Sequence, residues 1–175
     1  MYKMTQEKIA LFIDGSNFHA TTKLMNIDID YIRLLEYFKG LGTLIRPYYY
    51  TALPDSTEVS NLKRLIDFLD YNGYMIVSKS TKSFVNQATG ERRIKGNMDM
   101  ELALDMLKLA PHIDHAYLFS GDGDFCRLLE DIQGMGVRVT VVSSTKTTPN
   151  MVADELRRKA DHFLELDSII SEIER

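Results

Sequence analysis

Five short, unbroken apolar runs, KIALFI (8–13), YYYTAL (48–53), YMIV (74–77), AYLF (116–119) and VRVTVV (137–142), recur along the chain and leave it few folds to adopt. Each is too short for a helix, and most are rich in β-branched or aromatic residues. They read as strands, the continuous ones buried on both faces. Helical periodicity fills the intervals in IDYIRLLEYFKGLG, in EVSNLKRLIDFLDYNG ending at Gly73, in MDMELALDMLKLA stopped by Pro111, and in FCRLLEDIQGMG. MVADELRRKA near 150–160 predicts one more helix and HFLEL a last short extended piece. Strand and helix alternate, which predicts a three-layer α/β/α sandwich around a mostly parallel sheet with right-handed crossovers. Pro47 cannot donate to a ladder, so the second strand is expected to begin after it or to lie exposed there.

Bulk properties narrow the class. A chain of 175 residues, 45% hydrophobic and 26% charged, is about one domain and long enough to bury a core without disulfides. No segment approaches the roughly 20 apolar residues of a membrane span. The start, MYKMTQEKIALFIDGSN, lacks a signal-peptide layout, so the cytoplasm is the expected location. The single Cys126 cannot form an internal disulfide and falls on the apolar side of a predicted helix, where it reads as a small buried thiol. A net charge of -4 excludes a protein that is basic all over but permits a local basic patch, and the charge pattern allows a homo-oligomer as readily as a monomer. There is no GxxxxGK[ST] phosphate loop and no full dinucleotide glycine pattern. An aspartyl-nucleophile phosphatase would want two Asp one residue apart after the first strand, and FIDGSN has only Asp14.

The chemistry concentrates where strands end in acid. KIALFID stops at Asp14, followed by Gly15, Ser16 and Asn17, and AYLFSGDGD runs into Asp122 and Asp124. Open α/β sheets bind ligands beyond the carboxyl ends of their strands, so these acids face one crevice if their strands are the central pair. Helix capping is the plain alternative for one Asp at each corner. A third element argues against capping alone. On the helix from Met98 to Ala110, Met98, Leu102, Met106 and Leu109 form an apolar arc that contains Asp99, whereas Asp105 lies on the polar face and is expected to be solvated. Two carboxylates about 4 Å apart repel by about 4 kcal/mol at an effective dielectric near 20. A hard divalent cation, Mg²⁺ or Mn²⁺, removes that cost and leaves positions for water and phosphate. Zinc is disfavoured, because His19, His112, His115 and His162 show no ligand spacing; His112 and His115 read as surface residues.

FIDGSN, KGNMDMELALDM and SGDGDF, in that order and trailed by MVADELRRKADHFLEL, resemble the NYN domain of the PIN-like nuclease superfamily, in its LabA-like bacterial branch. The resemblance covers about 8–166 of a single domain spanning 1–175. It implies metal-dependent endonucleolytic cleavage of RNA, with Asp14, Asp99, Asp122 and Asp124 as the catalytic and metal-binding acids. Asn17 and Ser120 would orient water or a ligand carboxylate. Gly123 stands where the family often has serine. Some relatives of this type act as regulators, so a silent RNA-binding module is the alternative.

An RNA partner asks for nearby positive charge. Lys79, Lys82, Arg92, Arg93 and Lys95 supply it against Glu91 alone, in a segment whose NQATGE turn predicts a hairpin or loop leading into the Asp99 helix. Phe84 is placed to stack on a base or to anchor that loop. Tyr48, Tyr49 and Tyr50 alternate faces, so at least one ring is core.

Overall fold

The computed structural model describes residues 6–53, 61–85, 92–95 and 97–175, with segments 82–85 and 92–95 given by their backbone alone. Six strands form one parallel sheet: β1 (Lys8–Asp14), β2 (Thr43–Leu53), β3 (Met75–Ser80), β6 (His115–Phe119), β7 (Arg138–Ser143) and β8 (His162–Glu165). Their order is β3-β2-β1-β6-β7-β8, so the two acid-ended strands are neighbours at the centre, where the chain direction of winding reverses. Two further strands, β4 (Lys82–Val85) and β5 (Arg92–Lys95), pair antiparallel as a separate ribbon.

Strict alternation along the central strands divides the core between the two faces. Ala10 and Phe12 of β1 join Ala116 and Leu118 of β6 on the face covered by α4 (Asp99–Leu109), α5 (Cys126–Gly134) and α6 (Asp154–Lys159). Ile9, Leu11 and Ile13 join Tyr117 and Phe119 on the other face, under α1 (Gly15–Leu24), α2 (Tyr31–Leu41), α3 (Asn61–Tyr71) and α7 (Ile170–Ile173). All five of these β1 residues are fully buried, each contributing about 1.5–3 kcal/mol of burial for the larger side chains. No helix among the described residues is long and apolar enough to cross a membrane.

Three expectations are corrected. Strand β2 begins at Thr43, before Pro47, and Pro47 is buried rather than exposed. The proline is tolerated because β2 pairs with β3 only from Tyr48 onward, so at Pro47 the strand has one neighbour, β1. His115 is buried at the start of β6, its Nε2 2.7 Å from Thr140 Oγ1 and its ring stacked on Tyr117. Asp105 is half-buried and accepts a hydrogen bond from Tyr50 Oη at 3.2 Å, because β2 carries that tyrosine under α4. Helix α1 escapes a search for periodicity: its buried face is Phe18 with Thr21 and Thr22, whose hydroxyls bond back to the carbonyls of Asn17 and His19. Tyr49 and Tyr50 are buried on opposite faces, and Tyr48 stacks on Phe12 at 5.6 Å.

Candidate active site

Both acid-bearing corners are fixed by backbone geometry. At the first, β1 turns directly into α1 through Gly15, where a Cβ would lie 2.6 Å from the carbonyl oxygen of Tyr50. Asp14 caps α1, its Oδ1 accepting from Asn17 N at 3.2 Å, while its Oδ2 accepts from Ser120 Oγ at 2.9 Å. Asn17 ties this corner to the second one, its Oδ1 accepting from Gly121 N at 3.0 Å. Gly121 has no room for a side chain, since a Cβ there would sit 1.7 Å from the Met151 carbonyl oxygen. Asp122 N donates to Ser120 Oγ, and Asp122 Oδ1 accepts from Asp124 N at 2.9 Å, capping the short 3-10 turn at Gly123–Phe125. Capping is therefore real at both corners, but in each case it takes one oxygen of Asp14 or Asp122. Asp124 itself caps nothing among the described residues.

The third element arrives from the side. Asn97 holds Asp99 twice, donating from Nδ2 to Asp99 Oδ2 and accepting the Asp99 N–H at 2.6 Å. Asp99, Asp122 and Asp124 each offer a carboxylate oxygen within 4.8 Å of the other two. Asp14 lies outside that tight group but lines the same cleft, of about 360 Å³, with Ser16, Asn17, Asn97, Asp99 and Asp122. The four predicted acids are thus linked through Asp99 and Asp122, which converge with the exposed Asp124 on one side and line the cleft with Asp14 on the other.

Electrostatics record the crowding. Burial pushes the Asp14 carboxyl above the ordinary carboxylate range; its hydrogen bonds from Asn17 and Ser120 oppose this, and Asp99 and Asp122 add to it. Asp99 is likewise raised, first by burial, against the Asn97 hydrogen bond and with Asp122, Asp124 and Glu101 as like charges. Among the described residues no lysine or arginine forms an ion pair with any of the four acids. Carboxylate oxygens gathered within 4.8 Å repel one another, less where solvent screens the exposed Asp124.

The donor set fits a hard divalent cation. All its atoms are anionic carboxylate oxygens gathered within 4.8 Å of one another, the hard donors that Mg²⁺ or Mn²⁺ takes. Asp99, Asp122 and Asp124 are the residues that would hold such an ion, with Asp14 adjacent.

The basic segment is placed less fully. Lys79, on β3, forms an ion pair with Glu101 of α4 at 2.9 Å. Lys82, Arg92, Arg93 and Lys95 lie on the β4–β5 ribbon, and their side chains, with that of Phe84, fall outside the described residues, as does Glu91. The ribbon's backbone leaves the carboxyl end of β3 and returns to the first residues before α4, at the end of the sheet that holds the acids. Asn97 was not expected in the site; an Asn two residues ahead of an Asp at a helix start is a local capping pattern that could have revealed it. The thiol of Cys126 is half-buried against the core, as its helix position implied.

Comparison with known proteins bears on the family and the fold. The chain is 34% identical over 171 residues to the low amplitude and bright protein LabA of Synechococcus elongatus, covering 96% of this chain and 88% of LabA. A crystal structure of a protein of unknown function from Vibrio parahaemolyticus superposes with a TM-score of 0.76 at 25% identity, covering 97% of this chain and 99% of that one. The family model described as the NYN domain matches residues 8–167, which include both acidic corners and the helix between them. The chain belongs to the NYN family.

Proposed function

We propose that the protein is a metal-dependent endoribonuclease that hydrolyses phosphodiester bonds in RNA at the acidic hollow, with Mg²⁺ or Mn²⁺ as cofactor. The convergence of Asp99, Asp122 and Asp124 to within 4.8 Å, with no cationic side chain among the described residues to balance them, carries this reading. A divalent cation held there would lower the pKa of a bound water and offset charge on a phosphate. The chain's own groups do the rest. Asn97 fixes the Asp99 carboxylate, the Asp124 N–H fixes one oxygen of Asp122, and Ser120 and Asn17 fix Asp14 from two sides. Asp99, Asp122 and Asp14 are thereby held before substrate arrives, which is the preorganisation that in-line attack requires. Asp14, raised by burial, is positioned to hold a water against the cleft and to accept its proton.

Family membership supports the choice of nucleic acid as substrate, and the ribbon's sequence carries four cations, Lys82, Arg92, Arg93 and Lys95, against Glu91. If these contact about four phosphates of single-stranded RNA, the logarithm of affinity falls with the logarithm of salt at a slope near -3. The test is incubation of purified protein with labelled RNA in Mg²⁺ or Mn²⁺. Cleavage that EDTA stops, and that Asp122→Asn removes, is the expected result. Metal binding without cleavage of any RNA would instead favour a regulatory module that keeps the site.

A further inference from the structure

We infer that the hollow between α1 and α3 is a nucleobase subsite for a single-stranded substrate whose phosphate lies at the acidic cleft; this rests on the nuclease reading and extends it. The hollow measures about 420 Å³, and Ser16, His19, Tyr49, Thr51, Leu62 and Leu65 line it. Ser16 also lines the acidic cleft, so the two hollows are neighbours across that residue. A third hollow continues the line, sharing His19 and Leu65 and adding Lys23 and Arg175, the latter paired with Asp28 at 3.7 Å.

Charge changes in order along this path. Among the described residues, the first hollow contains three aspartates, the second is lined by no acid, lysine or arginine, and the third contains Lys23 beside the Asp28–Arg175 pair. A phosphate is unsuited to the middle hollow, whose described lining offers no lysine or arginine. A flat neutral heterocycle suits it: Tyr49, Leu62 and Leu65 give apolar walls, while Ser16, Thr51, His19 and Asn61 give hydrogen-bonding groups of both kinds at its margins. Ser16, His19 and Lys23 are exposed at i, i+3 and i+7 on α1, and so follow one helix face over about 10 Å. A base paired inside a duplex cannot enter such a hollow, which assigns the site to single strands.

The experiment is fluorescence anisotropy with a short single-stranded RNA in Mg²⁺, using the Asp122→Asn protein so that the strand is not consumed. The same strand is measured with its bases intact and with every base removed, and each is measured again with Leu65→Trp added to fill the hollow. Intact RNA is expected to bind at least fivefold more tightly than the abasic strand, and Leu65→Trp is expected to abolish that ratio while leaving abasic binding unchanged. Equal affinity for intact and abasic strands overturns the subsite, and so does a ratio that survives in a folded Leu65→Trp protein; the abasic comparison needs no hollow-filling variant and stands if Leu65→Trp does not fold. Base-dependent binding without cleavage by wild-type protein would sink the nuclease reading alone. Cleavage without base dependence would sink the subsite alone.

Discussion

Among the described residues, the two ends of the central sheet treat their charged groups differently. At the amino ends of the strands, Glu7 pairs with Arg138 and stands 3.6 Å from His115. At the carboxyl ends of β1 and β6, Asp14, Asp99, Asp122 and Asp124 receive only neutral donors among the described residues. Satisfied charge at one end holds strands in register. At the other end the acids have no cationic partner among the described residues, and that difference marks the end at which we place the proposed chemistry.

The contrast can be broken first by activity. Asp14→Asn and Asp99→Asn are expected to lower kcat/KM for RNA cleavage by roughly a hundredfold or more, the upper end of what loss of a partner around a metal costs, whereas Arg138→Met leaves it within about twofold. Equal losses from both ends would refute the division. Next in size, Gly121→Ala drives a Cβ against the Met151 carbonyl and should destabilise the fold by about 1–3 kcal/mol, read as a fall in Tm of about 2–4 °C per kcal/mol.

Stability against pH separates the ends by sign. Asp14 and Asp99 are raised above the ordinary 3.8, chiefly by burial, so the folded metal-free protein binds their protons more tightly than the unfolded chain. Their contribution is fully favourable below the unfolded value and is lost as pH rises through the folded one. Asp14→Asn should therefore raise the Tm of metal-free protein at pH 7 by a few degrees, a gain that shrinks as pH falls toward 4. His115 behaves oppositely: burial, with His162 nearby, lowers it from 6.5, so its contribution is present above that value and declines as pH falls below it. Thermal melts of both proteins across pH 4–8 check the two signs. Smallest of all, Glu7→Gln at the paired end, where both partners are nearly half exposed, should cost under about 1 kcal/mol in chemical denaturation.

Much of this was legible in the chain because period and composition agree. Continuous apolar runs identified β1, β6 and β7, and a charge inside an apolar arc singled out Asp99, whose carboxylate does meet Asp122 and Asp124. Position within the hollow was not legible: that Asp14 stands beside the tight group depends on Ser120 and Asn17 claiming both its oxygens. Nor was the role of Asp105, whose partner Tyr50 is 55 residues away in sequence. Helix α1 was hidden because small threonines replace the usual large apolar residues on its inner face. Local signals revealed elements; contacts between distant segments decided what each polar side chain touches.

Calorimetric titration of Mn²⁺ into the wild-type protein and into Asp99→Asn tests the convergence most directly. Saturable binding that Mg²⁺ competes away, weakened at least tenfold by Asp99→Asn, is the predicted result. Absence of saturable binding, or identical binding in both proteins, would contradict a shared carboxylate centre.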